Sequence, residues 1–155
     1  KAVARLGDPV HISMAGFLAG AVKRDARVIL AGGTQMAAVL AIAKHVKVSL
    51  EGRALIGTTR WLLSDDSSDL VGLVRMIYPS TPIVAYDLDF SNAHHEGLRY
   101  YERGYVKEGV GAGGTCIAAA VKGVAHQRLL HSIYEEYERL IKSTSTRVDR
   151  RDLVG

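Results

Sequence analysis

The segment RVILAGGTQMAAVLAIAKHV, residues 27–46, decides how this sequence folds. RVILA is short, β-branched and apolar, as a strand covered on both faces should be. Gly32-Gly33 then turns the chain and Thr34 reads as a helix cap. Residues 35–46 follow as a helix apolar nearly all round, with Lys44 and Lys47 at the end where the dipole favours cations. Strand, glycine turn and helix together form the repeating unit of a parallel α/β sheet.

The same rhythm extends in both directions. Upstream, Asp8 before Pro9 is an N-cap with proline in the first turn, and Val10, Met14, Phe17 or Leu18, and Ala21 recur at helical spacing to about Lys23. Downstream, a strand is expected at 53–56 with exit loop 57–60, a short helix at 69–77, and a strand at 82–88 with exit 89–92. A polar helix at 94–103, a glycine loop, a helix at 115–122 and a long amphipathic helix at 126–142 complete the chain. On that last helix Leu129, Leu130, Ile133, Tyr134, Tyr137, Leu140 and Ile141 form one stripe, and Glu135–Arg139 and Glu138–Lys142 are spaced as i,i+4 pairs. Strands joined by helical crossovers imply an α/β fold: a three-layer Rossmann-like sandwich with a mainly parallel sheet. Three strands make a small sheet, so a partial domain is expected.

Length and composition bound the rest. At 155 residues and 48% hydrophobic content, one α/β domain over 1–142 with a polar tail at 143–155 is expected. The chain opens on Lys1 and lacks a secretory pattern in its first residues, which reads as a fragment or processed piece. Its apolar runs, 14–22 and 36–43, fall short of the roughly 20 residues that cross a bilayer, so no membrane partner is expected. A single cysteine, Cys116, suits a reducing cytoplasm. The net charge of +4 is scattered and forms no stripe, so nucleic acid is not an expected partner.

Ligands of such sheets bind beyond the carboxyl ends of the strands. At the first exit, Gly32, Gly33, Thr34 and Gln35 let backbone N–H groups approach an anion, although a plain tight turn would look the same. At the second, Thr58, Thr59 and Arg60 offer hydroxyls and a guanidinium to sugar or phosphate oxygens, or serve as surface turn residues. Asp87, Asp89 and Ser91 flank the third, where the carboxylates could hold ribose hydroxyls, or Ser91 or Asn92 could be only a helix cap.

Residues 109–114 contain G-x-G-x-x-G at Gly109, Gly111 and Gly114, with Gly113 between. A dinucleotide site needs a preceding core strand and an acidic residue about 20 positions onward on the next strand. Here that distance falls on the amphipathic helix, so the Rossmann motif is excluded by context. Glu108, just before the glycines, is either an ion-paired surface residue or a base beside a bound substrate. Of the six histidines, the adjacent His94 and His95 point in different directions and the others match no ligand spacing, so neither a metal nor a covalent nucleophile is expected.

The segments LAGGTQMAAVLA (30–41), IGTTRW (56–61), DLDFS (87–91) and YVKEGVGAGG (105–114), in that order, resemble the carboxyl-terminal portion of the nicotinate-nucleotide:dimethylbenzimidazole phosphoribosyltransferases, in their archaeal-type branch. The likeness covers residues 7 to about 140. It implies transfer of a phosphoribosyl group from nicotinate mononucleotide to a benzimidazole-type base in cobamide lower-ligand assembly, in a cytoplasmic homodimer without cofactor. It also implies that Glu108 is the general base, that Gly32-Gly33 is the family's glycine turn, and that Ser91 belongs to its serine-bearing loop. The family's amino-terminal half has no counterpart here, which implies a fragment that binds poorly or is inactive by itself. The residues themselves leave a non-catalytic nucleotide-binding or regulatory module, or a ligand-free dimerisation fragment, as the competing readings.

Overall fold

The structure, a computed structural model, describes residues 8–106 and 109–151, with side chains described as far as residue 143. The chain divides into two compact units, Lys1–Ala118 and Ala119–Gly155.

The first unit is α/β. Its elements run α1 (Pro9–Lys23), β1 (Val28–Ala31), α2 (Thr34–His45), β2 (Ala54–Thr59), α3 (Arg60–Leu63), α4 (Leu70–Ile77), β3 (Ile83–Tyr86), α5 (Glu96–Glu102) and the start of α6 (Gly111–Val121). The strands form a parallel sheet in the order β1-β2-β3, with Ala31 opposite Gly57 and Thr59 opposite Tyr86. The architecture is consistent with a small, partial Rossmann-like fold.

Local chemistry sets the helix starts. Asp8 accepts a hydrogen bond from the Val10 N–H at 2.7 Å and Asp69 accepts from the Gly72 N–H at 2.9 Å, each satisfying an orphan donor of the first turn. At α2 the sequence expectation is corrected: Gly33 is the N-cap and makes no side-chain cap, while Thr34 is already helical. The glycine turn is tight enough that the Gly32 N–H still bonds to the Gly57 carbonyl at 3.0 Å and so continues the ladder one residue beyond β1.

Strand alternation divides the sheet into two faces. Leu30, Ala54 and Ile56 join Leu18 of α1, Val39 and Leu40 of α2, and Val74 of α4 in the main core. Leu18, Val39, Leu40 and Ile56 are fully buried, each contributing about 1.5–3 kcal/mol of apolar burial. The opposite face, with Ile29, Ala31 and Gly57, meets the start of α6.

The second unit contains α7 (His126–Arg151), so the polar segment after Ser143 is helical as far as Arg151. Leu129 is buried, the middle of the apolar stripe is half-buried, and Leu140 and Ile141 are exposed. Glu138 pairs with Lys142 at 3.6 Å as expected. Arg139 instead pairs with Glu136, whose two oxygens accept from its Nε and Nη2 at 2.7 and 2.5 Å, because the guanidinium fork matches a carboxylate bidentately. Glu135 faces His131 at 3.3 Å. Among the described residues, no helix is long and apolar enough to cross a membrane.

Candidate functional site

At the carboxyl end of β2 the chain passes straight from Thr59 into α3, and a cavity of about 580 Å³ opens there. This volume lies in the usual range for small-molecule sites. Thr59, Trp61 and Leu62 supply one wall, Tyr101 and Glu102 of α5 another, and Asp65 and Asp66 stand at its polar side. Trp61, Phe90 and Tyr101 pack as an aromatic cluster, with Trp61 ring centroids 5.3 Å from Phe90 and 5.1 Å from Tyr101. Such a wall offers a rigid stacking surface at low entropic cost.

Arg60 stands beside this wall, its guanidinium 5.7 Å from the Trp61 ring centroid. Its Nε donates to the Leu88 carbonyl at 2.6 Å and lies 3.1 Å from Asp87, while Nη2 donates to Glu102 at 2.5 Å and lies 3.7 Å from Asp89. The other oxygen of Glu102 accepts the Phe90 N–H at 2.7 Å. Arg60 and Glu102 therefore fasten the exit of β3 to α5. The expectation that Arg60 binds phosphate meets a physical obstacle, since one guanidinium here faces three carboxylates. Asp87 and Asp89 are likewise engaged with Arg60. The Asp89 carboxyl is held below the usual carboxylate range, chiefly by the Ser91 hydroxyl and then the Ser91 N–H, with Arg60 a lesser cause.

The glycines have a different role from the one read in the sequence. Gly111, Gly113 and Gly114 form the first turns of α6, not a loop. A Cβ on Gly113 would overlap the Thr58 carbonyl, and one on Gly114 would sit 2.6 Å from the Ala31 Cα. One on Gly57 would sit 2.7 Å from the Gly114 Cα. Helix and sheet thus meet backbone to backbone, and these glycines are required by packing. Only Gly109 keeps a turn role, at φ 75°, with its Cβ direction 3.5 Å from the Tyr101 hydroxyl.

Close packing brings two helix N-termini together. The Cβ direction of Gly33, the cap of α2, points to within 3.2 Å of Val110, and that of Gly111, the first residue of α6, to within 3.2 Å of the Ala31 carbonyl. Thr34 and Gln35 are exposed at the start of α2.

Thr58 and Thr59 are strand residues, not the exit loop expected from the sequence, and are 0% and 2% exposed. They face opposite sides of β2. Among the described residues neither hydroxyl finds a hydrogen-bond partner, and the same holds for the buried Trp61 Nε1. Thr59 and Trp61 both line the cavity, with these two polar atoms closed off from solvent in the unliganded chain.

The structure thus gathers Thr59, Arg60, Asp87, Asp89 and Ser91 at one end of the sheet and Gly32 to Gln35 with Gly111 at the adjoining helix starts. Glu108 lies outside the described residues. Sequence reasoning missed Trp61, Tyr101 and Glu102. Trp61 had a usable signal, a lone tryptophan at a strand exit, whereas Glu102 reaches Arg60 across 42 residues with no local pattern. Among the described residues no group of three or more His, Cys, Asp or Glu could hold a metal ion. Cys116 is buried beside the sheet, and desolvation pushes its thiol pKa up.

No family model matches the chain. It is 45% identical over 139 residues to a UPF0284 protein of Sulfolobus acidocaldarius, covering 90% of this chain and 39% of that protein. It is 41% identical over 136 residues to a UPF0284 protein of Aeropyrum pernix (88% and 38%), and 44% identical over 139 residues to one of Gloeothece citriformis (86% and 37%). The chain spans about two-fifths of the length of these curated relatives. Their names correct the family expected from the sequence: the similar proteins are called UPF0284 proteins, not phosphoribosyltransferases, and that name states no activity.

Proposed function

We propose that the cavity beyond β2 binds a nucleotide-like small molecule and that the reaction is phosphoribosyl transfer from nicotinate mononucleotide to a benzimidazole-type base. The observation that carries this reading is the cavity wall itself: Val106 and Val110, which flank Glu108 in sequence, both line a cavity walled by Trp61 and Tyr101. The aromatic wall suits a planar base. The Thr59 hydroxyl, turned into the cavity on binding, suits a polar atom of the ligand. A phosphate fits the N-termini of α2 and α6, where backbone N–H groups and the dipoles favour an anion, better than it fits Arg60.

In this reaction the azole nitrogen attacks the anomeric carbon as the bond to the nicotinate nitrogen breaks. The leaving electron pair stays on a neutral pyridine nitrogen, and the azole proton passes to the Glu108 carboxylate. The same carboxylate stabilises positive character on the ribose. One acid–base residue therefore suffices. The reading carries with it a cytoplasmic homodimer, to which a free thiol at Cys116 is suited.

A second reading, a nucleotide-binding module without catalysis, rests on the helix starts at Gly33 and Gly111, which suit an anion without any acid–base residue. One experiment separates the two. A full-length protein containing this chain is incubated with nicotinate mononucleotide and dimethylbenzimidazole, and products are followed by mass spectrometry. The proposal expects nicotinate and a ribosylated benzimidazole phosphate from the wild type, and at least about a 100-fold lower rate from Glu108→Gln with mononucleotide binding retained. Binding without any product supports the module, and unchanged turnover in the variant refutes Glu108 as the base.

A further inference from the structure

Among the described residues that line the cavity beyond β2, Arg103 is the one Lys or Arg, and it shares the wall with Asp65, Asp66 and Glu102. Two of those carboxylates are already engaged. Asp65 accepts from the Ser67 N–H and hydroxyl at 3.0 and 2.7 Å, and Glu102 accepts from Arg60 and the Phe90 N–H. Arg103 is held far more loosely. It caps the C-terminus of α5 with its side chain 49% exposed. Its contacts among the described residues are one 3.4 Å bond from Nη1 to Glu96 and the Tyr100 ring, whose centroid lies 5.8 Å from the guanidinium. A guanidinium has five N–H donors, so this one keeps a fork for a planar acceptor with two oxygens.

We infer that Arg103 is the specificity residue of this cavity: its guanidinium fork recognises a carboxylate on the ligand's aromatic ring and selects a nicotinate-type ring over its carboxamide counterpart. The inference rests on the nucleotide reading above and adds which part of the ligand faces α5. With the phosphate at the N-termini of α2 and α6 and the ring against Trp61 and Tyr101, the ring carboxylate is a second anion that needs its own cation. Tyr101 and Arg103, two residues apart, both line the cavity, so wall and cation stand together. The acidic side chains sharpen the choice. A carboxylate entering this wall meets Asp65 and Asp66 as like charges, and the fork on Arg103 offsets that repulsion. A carboxamide meets no such repulsion and gains little from the fork. Selection is therefore a difference made by one side chain against a background that opposes anions.

The test is titration calorimetry on a full-length protein containing this chain, with nicotinate mononucleotide and nicotinamide mononucleotide as the two probes. They share ribose, phosphate and the ring cation, and differ in the carboxylate. The wild type is expected to bind the nicotinate form about 10- to 100-fold more tightly, the range for one charge-assisted pair. Arg103→Gln should abolish that preference by weakening the nicotinate form alone, and Arg103→Lys, which keeps the charge without the fork, should narrow it. Circular dichroism and melting check that the variants fold. A wild type that binds both forms equally, or an Arg103→Gln protein that keeps the preference, overturns the inference and leaves the nucleotide site standing. Equal weakening of both forms in Arg103→Gln also overturns it, because the guanidinium would then serve the phosphate or the scaffold. A wild type that binds neither form overturns the inference together with the reading it rests on. If Arg103→Gln does not fold, Arg103→Lys decides, and a preference unchanged from wild type refutes recognition by the fork.

Discussion

Replacing Thr59 by Val should make the unliganded protein more stable and its ligand complex weaker. Thr59 is 2% exposed and its hydroxyl has no hydrogen-bond partner among the described residues. Leaving such a group unsatisfied costs about 1–3 kcal/mol, and valine keeps the β-branched shape that a strand favours. A gain of about 1 kcal/mol corresponds to roughly 3–6 °C in Tm for a domain of this size. Thr58→Val, at 0% exposure on the opposite face, should give a similar gain. Only Thr59 lines the cavity, so only Thr59→Val should raise the Kd for nicotinate mononucleotide, by about fivefold for one lost hydrogen bond. Differential scanning calorimetry and titration calorimetry on the same samples read both effects. A Thr59→Val protein less stable than wild type would refute the reasoning, because it would show that the hydroxyl is already satisfied. Equal Kd values for both variants would remove Thr59 from the ligand contacts.

Two further outcomes follow from the same geometry. Gly113→Ala should destabilise by about 3 kcal/mol or more in urea unfolding, since its Cβ would overlap the Thr58 carbonyl and α6 would have to shift; a loss under about 1 kcal/mol would mean that helix and sheet are not in backbone contact. Titration of Asp89 by NMR should give a pKa below its ordinary 3.8, and Ser91→Ala should move it upward. Because the folded pKa is lowered, this carboxylate's contribution to stability is present above the ordinary value and lost as pH falls through the lowered one. An Asp89 pKa that Ser91→Ala leaves unchanged would contradict the assigned cause.

The strand–turn–helix order was legible because each element carries its own local signal. RVILA and the apolar helix after it can form little else, and Asp8-Pro9 marks a helix start by capping chemistry alone. The end of β2 was misplaced because Gly57, Thr58 and Thr59 look like turn residues. They stay in the strand because Gly57 is the one residue that lets Gly114 of α6 approach, a contact made 57 positions away. The glycines at 111–114 were misread for the same reason: a flexible loop and a helix pressed onto a sheet both call for residues without side chains. In the site, residue types at the strand exits were readable, but their pairing was not. That Arg60 would be taken by Asp87, Asp89 and Glu102 depends on where α5 lies, which no spacing in the sequence encodes.

The sequence contains a single tryptophan, and it lies in the cavity wall, so intrinsic fluorescence reports on the site without labelling. Titration of the protein with nicotinate mononucleotide should give a saturable change in Trp61 emission, reversed by dilution and weakened in Thr59→Val. Emission that stays linear in ligand, with no saturation in either protein, would contradict the assignment of this cavity as a nucleotide site.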